Sequence, residues 1–153
     1  MNRNKKLQLI QLDKKLSKMN ELKEIAVPQR GWLFTIRTTL NMSLKQFGKK
    51  LNITPQSVKE IENREQNRSI TLKNLAEAAD ALDMQLVYGL IPKYDSLEKM
   101  IEQNAARIAR EIVLRTSHSM SLEDQENLPE RIEEAIKEKT EQIKNELPRY
   151  LWD

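Results

Sequence analysis

The stretch SLKQFGKKLNITPQSVKEIEN, residues 43–63, decides the fold. It opens on Ser43 with Gln46 three positions later. That spacing predicts a capping box, in which the serine hydroxyl accepts from the third backbone N–H and the glutamine reaches back. The helix so begun carries Leu44, Phe47 and Leu51 on one face. It ends at Asn52, a residue type that tolerates the left-handed conformation closing many helices. Ile53 is an apolar plug in the turn. Thr54 and Pro55 start a second helix, the threonine as N-cap and the proline at the first helical position, where its missing N–H costs nothing. Val58 and Ile61 face inward, leaving Gln56, Ser57, Lys59, Glu60 and Asn63 outward. Two short helices across a turn of about three residues make a helix-turn-helix. Gly48 is small where the second helix must come close.

Working outward, residues 29–41 read as a helix with Trp32, Ile36 and Leu40 on one face, entered after Pro28. Beyond the motif, the loop Asn63 to Ile70 holds Arg64, Asn67 and Arg68. Thr71 then caps a helix whose stripe is Leu72, Leu75, Ala76, Ala79 and Leu82. Residues 5–19 form a basic amphipathic helix, with Leu7, Ile10, Leu16 and Met19 among Lys5, Lys6, Lys14, Lys15 and Lys18. Two readings of it stand: a solvated helix docked by its apolar residues, or a basic arm on nucleic acid. Residues 84–91, rich in β-branched and aromatic types and stopped by Pro92, are the one strand candidate. A single strand needs a partner. The economical one is the same strand of a second copy across a two-fold axis, through Leu86, Val87, Tyr88, Leu90 and Ile91. Two helices follow. Residues 96–118 are capped by Ser96, with a face of Leu97, Ile101, Ala105, Ile108, Ile112 and Arg115. Residues 129–147 carry Ile132, Ile136, Ile143 and Leu147, and the polar segment 117–127 joins the two. The closing Arg149-Tyr-Leu-Trp-Asp153 is apolar: a tail docked on its own domain, or an anchor for a partner.

Composition closes off whole classes of chemistry. No cysteine is present, which removes disulfide scaffolds, thiolate nucleophiles and cysteine-based metal sites. His118 is the single histidine; it is given no role. With glycine only at 31, 48 and 89, no phosphate-cradling loop can be written. Glu133 and Glu134 are adjacent on a charged helix and do not face each other across a cleft. The expectation is a protein that is not an enzyme, with no catalytic residues, no metal and no cofactor. No apolar run approaches the ~20 residues of a membrane helix. Residues 1–16 carry lysines without the apolar core of a secretory signal, so the chain reads as soluble and cytoplasmic. Its net charge of +3 hides a gradient. Residues 1–27 hold seven Lys and Arg against three Asp and Glu, residues 28–93 ten against six, and residues 94–153 nine against fourteen. The first two-thirds suit a polyanion; the last third does not.

Residues 43–82 resemble the helix-turn-helix of phage repressor and Cro proteins, the Xre-like family. In that pattern a small residue stands at Gly48, usually glycine at Asn52, and a branched apolar residue at Val58. The resemblance spans about residues 29–83 and implies a domain of five helices or nearly so. The fuller chain resembles a narrower family, mobile mystery protein A, through Leu12-Asp13-Lys14-Lys15-Leu16, Pro28-Gln29-Arg30-Gly31-Trp32, Leu86-Val87-Tyr88-Gly89-Leu90-Ile91-Pro92 and Leu151-Trp152-Asp153. That resemblance implies a DNA-binding regulator on mobile elements, often encoded beside a Fic-domain protein. There are departures. Many phage-repressor-like domains hold a phosphate with a glutamine where this chain has Leu44. The inhibitory signature of Fic antitoxins is missing: four residues after Ser57 stands Ile61, and four after Ser121 stands Gln125.

The expected architecture is mainly all-α: a basic helix or arm over 1–27, a five-helix helix-turn-helix domain over 28–83, a short dimerisation strand over 84–92, and an acidic helical region over 93–153. In such a motif the second helix enters the major groove, N-terminal end first. Gln56 then suits adenine, Ser57 either base type, Lys59 guanine or phosphate, and Glu60 cytosine N4. Backbone contacts are expected from Ser43, Thr54 and Thr71 at helix N-termini, and from Arg64, Asn67, Arg68 and Lys73. The expected partners are double-stranded DNA and a second copy of the chain. A Fic-domain protein on the C-terminal helices is the alternative, with no membrane involved.

Overall fold

A computed structural model describes residues 3–122 and 128–153. Among them are seven α-helices: α1 (Arg3–Ser17), α2 (Trp32–Thr39), α3 (Leu44–Leu51), α4 (Pro55–Gln66), α5 (Leu72–Ala81), α6 (Leu97–Leu122) and α7 (Pro129–Glu146). Two 3-10 turns, Asn20–Glu24 and Arg149–Trp152, complete them. Part of the expected joining segment, residues 123–127, lies outside the described residues. The chain divides into two compact units, one of residues 22–89 and one built from both ends of the sequence, residues 1–21 and 90–153.

The central unit holds α2–α5, four helices over the span expected to hold five. Its core is Leu33, Phe47, Val58, Ala78 and Leu82, with Leu44, Leu51, Ile61 and Leu75 packed around it. Each expected local signal is in place. The Ser43 hydroxyl accepts from Gln46 N–H (3.1 Å) while the Gln46 side chain accepts from Ser43 N–H (2.8 Å). Asn52 is left-handed at φ 55° and caps α3. Thr54 and Thr71 cap α4 and α5 through their hydroxyls. A Cβ on Gly48 would stand 2.6 Å from the Ile53 carbonyl oxygen, so the turn leaves no room for any side chain there.

The phase of α2 differs from the expectation. Leu33 and Arg37 are buried and Ile36 packs beside them, whereas Trp32 and Leu40 are exposed. Charge explains the rotation. The Arg37 guanidinium donates to the Glu62 carboxylate through Nε and through Nη2 (3.2 Å), and to the Met42 carbonyl (2.9 Å). An arginine on the buried face displaces the apolar stripe by about one residue. In α5 Leu72 is likewise exposed, and Ala78 takes the inner position.

Residues 84–91 form neither helix nor strand, and no described residue lies in a β-strand. The expected strand is therefore not made within one chain, since no second extended segment is there to pair with it. Met84 N–H bonds back to the Ala79 carbonyl (2.9 Å) and closes α5. Leu86 and Ile91 are half-buried, while Val87, Tyr88 and Leu90 are 71%, 71% and 82% exposed.

In the other unit α6 and α7 pack along Ile101, Ala105, Ile108, Ala109, Ile136 and Ile143, and Leu151 of the closing turn seals the same core. The tail docks by Leu151, with a hydrogen bond from the Arg107 guanidinium to the Asp153 carbonyl (3.4 Å), while Tyr150 and Trp152 are exposed. Arg115, expected on the inner face of α6, is exposed, as is His118 within the same helix. Helix α1 belongs here as well. It turns Leu9, Asp13 and Leu16 inward; of the expected stripe of Leu7, Ile10, Leu16 and Met19, Leu16 and Met19 are half-buried, whereas Leu7 and Ile10 are more than half exposed. The Asp13 carboxylate accepts from the N–H groups of Leu97 (2.7 Å) and Glu98 (3.1 Å), joining Ser96 in capping α6. A carboxylate at a helix N-terminus satisfies orphan donors and meets the positive end of the dipole.

Candidate nucleic-acid interface

Helix α4 is a two-sided object. Val58, Ile61, Glu62 and Glu65, at the i, i+3, i+4, i+7 spacing of one helical face, point into the unit. Gln56, Lys59, Glu60 and Asn63 have the same spacing on the opposite face, and all four are exposed. The inner stripe is half carboxylate. Glu62 binds Arg37. Glu65 accepts from the backbone N–H groups of Trp32 and Leu33 (2.8 Å each), capping α2 from a distance. This cap requires Gly31, whose φ is +86° and whose missing Cβ would lie 2.9 Å from the Glu65 carboxylate. Two acidic residues of α4 therefore grip α2, at its start and in its last turn. They fix the helix axially and in rotation, which sets the direction in which the outer stripe faces.

Ser57 is half-buried at the edge of the outer stripe. Its backbone N–H donates to the Thr54 hydroxyl oxygen (3.1 Å), and its own oxygen accepts from that hydroxyl (2.9 Å). Its proton is left to donate, which suits guanine O6 or N7, thymine O4 or a phosphate oxygen. Ser57, Glu60 and Arg64 share a groove of about 300 Å³ with Asn74 and Glu77 of α5, two residues the sequence reading passed over. Exposed positions on a neighbouring helix carry no sequence signal of their own.

The expected backbone-contact residues are all exposed, and they fall in two groups. Ser43, Thr54 and Thr71 sit at helix N-termini with their hydroxyls engaged in capping. Arg64, Asn67, Arg68 and Lys73 follow along the end of α4 and the start of α5, where Arg68 is left-handed at φ 60°. The carbonyl of Arg64 accepts from Ser69 N–H (2.8 Å) and Ile70 N–H (3.2 Å), so the loop is held by its own backbone. Lys45, Lys49 and Lys50 of α3 are further exposed cations of this unit that the sequence reading left unassigned.

Residues 33–88 match a helix-turn-helix family of the Xre and Cro type. Over these residues the chain is similar to a helix-turn-helix domain, the arrangement that α3 and α4 show. The match ends within residues 84–91 and leaves the α6–α7 unit unassigned. No curated protein and no solved structure matches the chain. Among the described residues, no helix is long and apolar enough to cross a membrane.

Proposed function

We propose that the protein is a sequence-specific, DNA-binding transcription regulator, a repressor of its own mobile-element operon, acting in the cytoplasm as a homodimer on a pseudo-palindromic operator. The observation that carries this reading is the outer stripe of α4, four exposed hydrogen-bonding side chains on a helix locked in place from behind. Gln56, Ser57, Lys59 and Glu60 read base edges. Ser43, Thr54, Arg64, Asn67, Arg68, Thr71 and Lys73 hold the phosphates and fix register. Leu86, Val87, Tyr88, Leu90 and Ile91 pair with the same segment of a second copy, placing two recognition helices about one DNA turn, ~34 Å, apart. Support for the pairing comes from the exposure of Val87, Tyr88 and Leu90 in a β-prone segment without a ladder partner. The segments behind the narrower resemblance to mobile mystery protein A hold structural positions, Asp13 as a cap and Gly31 and Trp32 at the start of α2.

The test is selection of a binding duplex from a random pool with the full chain, followed by footprinting on the inverted repeat nearest its own promoter. Gln56→Ala is expected to weaken the selected site by roughly 1–3 kcal/mol and to relax one base position. An unchanged preference removes Gln56 from readout.

A second reading rests on the closing turn. Tyr150 and Trp152 stand exposed on either side of the buried Leu151, and aromatic residues of this kind anchor protein partners. In that reading the C-terminal helices bind the neighbouring Fic-domain gene product. Co-purification of that product with the wild type but not with Trp152→Ala would favour it.

A further inference from the structure

The acids of the two-ended unit are distributed unequally. On α6 and α7 Lys99 pairs with Asp95, Arg107 with Glu111, Arg110 with Glu133, and Lys144 with Glu98 and Glu141. Arg115, Arg131 and Lys137, exposed and unpaired among the described residues, share these helices with many carboxylates. Over α1 and the turn at Lys18 and Met19 acid is scarce. Arg3, Lys14, Lys15 and Lys18 are exposed, and none has an ion-pair partner among the described residues. The one acidic residue of α1, Asp13, faces inward and is spent on the N–H groups of Leu97 and Glu98. The inward stripe of Leu9, Asp13 and Leu16 thus fixes which side of α1 meets solvent. That side carries Arg3, Leu7, Gln11, Lys14 and Lys18 at helical spacing, with Lys15 beside them.

We infer that this face of α1 is a second phosphate-binding surface, whose occupant is the DNA backbone. The inference rests on the DNA-binding reading above and adds a contact from a unit that the helix-turn-helix match does not cover. The occupant is chosen by charge: a face of cations with its only acid turned away complements a polyanion. Gln11 adds a donor for phosphate oxygens, and exposed Leu7 an apolar contact for deoxyribose. The contact reads no sequence; it supplies affinity and salt dependence.

The experiment compares full-length wild type with the variant Arg3→Gln, Lys14→Gln, Lys15→Gln, Lys18→Gln. Both are titrated across a salt series against the pool-selected duplex and against a scrambled duplex of equal composition. The variant is expected to lose affinity for both duplexes by the same factor. Its plot of log K against log salt flattens by about 0.9 for each phosphate contact removed. Circular dichroism reports whether α1 and the rest of the fold are retained. Wild-type affinity and slope in the folded variant would overturn the inference while leaving the DNA-binding reading intact. No binding by the wild type to either duplex would overturn both. Loss of binding to anionic phosphatidylserine vesicles, with DNA affinity unchanged, would overturn it in favour of a lipid surface. A variant that does not fold is replaced by Lys14→Gln, Lys15→Gln, judged by the same slopes.

Discussion

The central unit is held by polar groups at named places, and the two-ended unit by apolar area. In the first, a modest core around Phe47 and Val58 is overlaid by three side-chain helix caps, the buried Arg37–Glu62 pair and the Glu65 grip on α2. In the second, isoleucines and alanines of α6 and α7 meet along their length, and one carboxylate, Asp13, supplies the cap from elsewhere in the chain. Apolar contact is non-directional, so two helices packed on isoleucine can slide or rotate at modest cost. A guanidinium bound to a carboxylate and a carbonyl cannot. The unit that carries the exposed outer stripe of α4 is the one built from directional bonds.

Glu62→Ala tests this most severely. It leaves the Arg37 guanidinium buried without its carboxylate, and a loss of about 3–5 kcal/mol is expected. The loss should be read by hydrogen exchange confined to residues 32–81. Replacing both partners, Arg37→Met with Glu62→Leu, should restore much of the stability. It should not restore DNA selectivity, because the rotational lock on α4 is gone; full selectivity in the double variant would break the comparison. Ile143→Ala is the counterpart in the other unit. A fully buried side chain is truncated, a loss of about 2–5 kcal/mol is expected, and the opening should map to α6 and α7. Exchange spreading equally into α3 and α4 would show that the two units unfold as one. Asp13→Ala is the mildest change, expected to cost about 0.5–2 kcal/mol through the lost cap. It should loosen α1 and the first turn of α6 together; a response in α6 alone would mean that α1 is held by Leu9 and Leu16 and not by its cap.

The same contrast explains what was legible in the sequence. The capping box at Ser43, the left-handed Asn52, the Thr54-Pro55 start and the close approach at Gly48 are local, each decided within about five residues. The polar contacts that organise the central unit join residues 25 and 33 positions apart, and the Asp13 cap joins residues 84 apart. No spacing rule announces them. They also misled the periodicity. Arg37 stands on the buried face of α2 and Asp13 on the inward, half-buried face of α1, so each apolar stripe was read out of phase. Both errors came from a charge placed where apolarity is the usual sign of burial. The outer stripe of α4 was readable for the opposite reason, since Val58 and Ile61 left only one face for Gln56, Lys59, Glu60 and Asn63.

Because residues 22–89 are inserted between the two pieces of the other unit, the order of synthesis acquires meaning. Helix α1 precedes the central unit in the chain, whereas the Leu97 and Glu98 amides it caps and α7 follow it. At ~5–20 residues per second the whole helix-turn-helix unit emerges in the interval. A helix of 15 residues is marginal alone. On the ribosome α1 is therefore expected to wait as coil while the DNA-binding unit folds ahead of it, a sequence of events that pulse-labelling of stalled nascent chains would register. Docking of α1 on α6 is then expected to follow folding of the central unit, and a product truncated after residue 90 would carry that unit and an α1 segment with no α6 to cap.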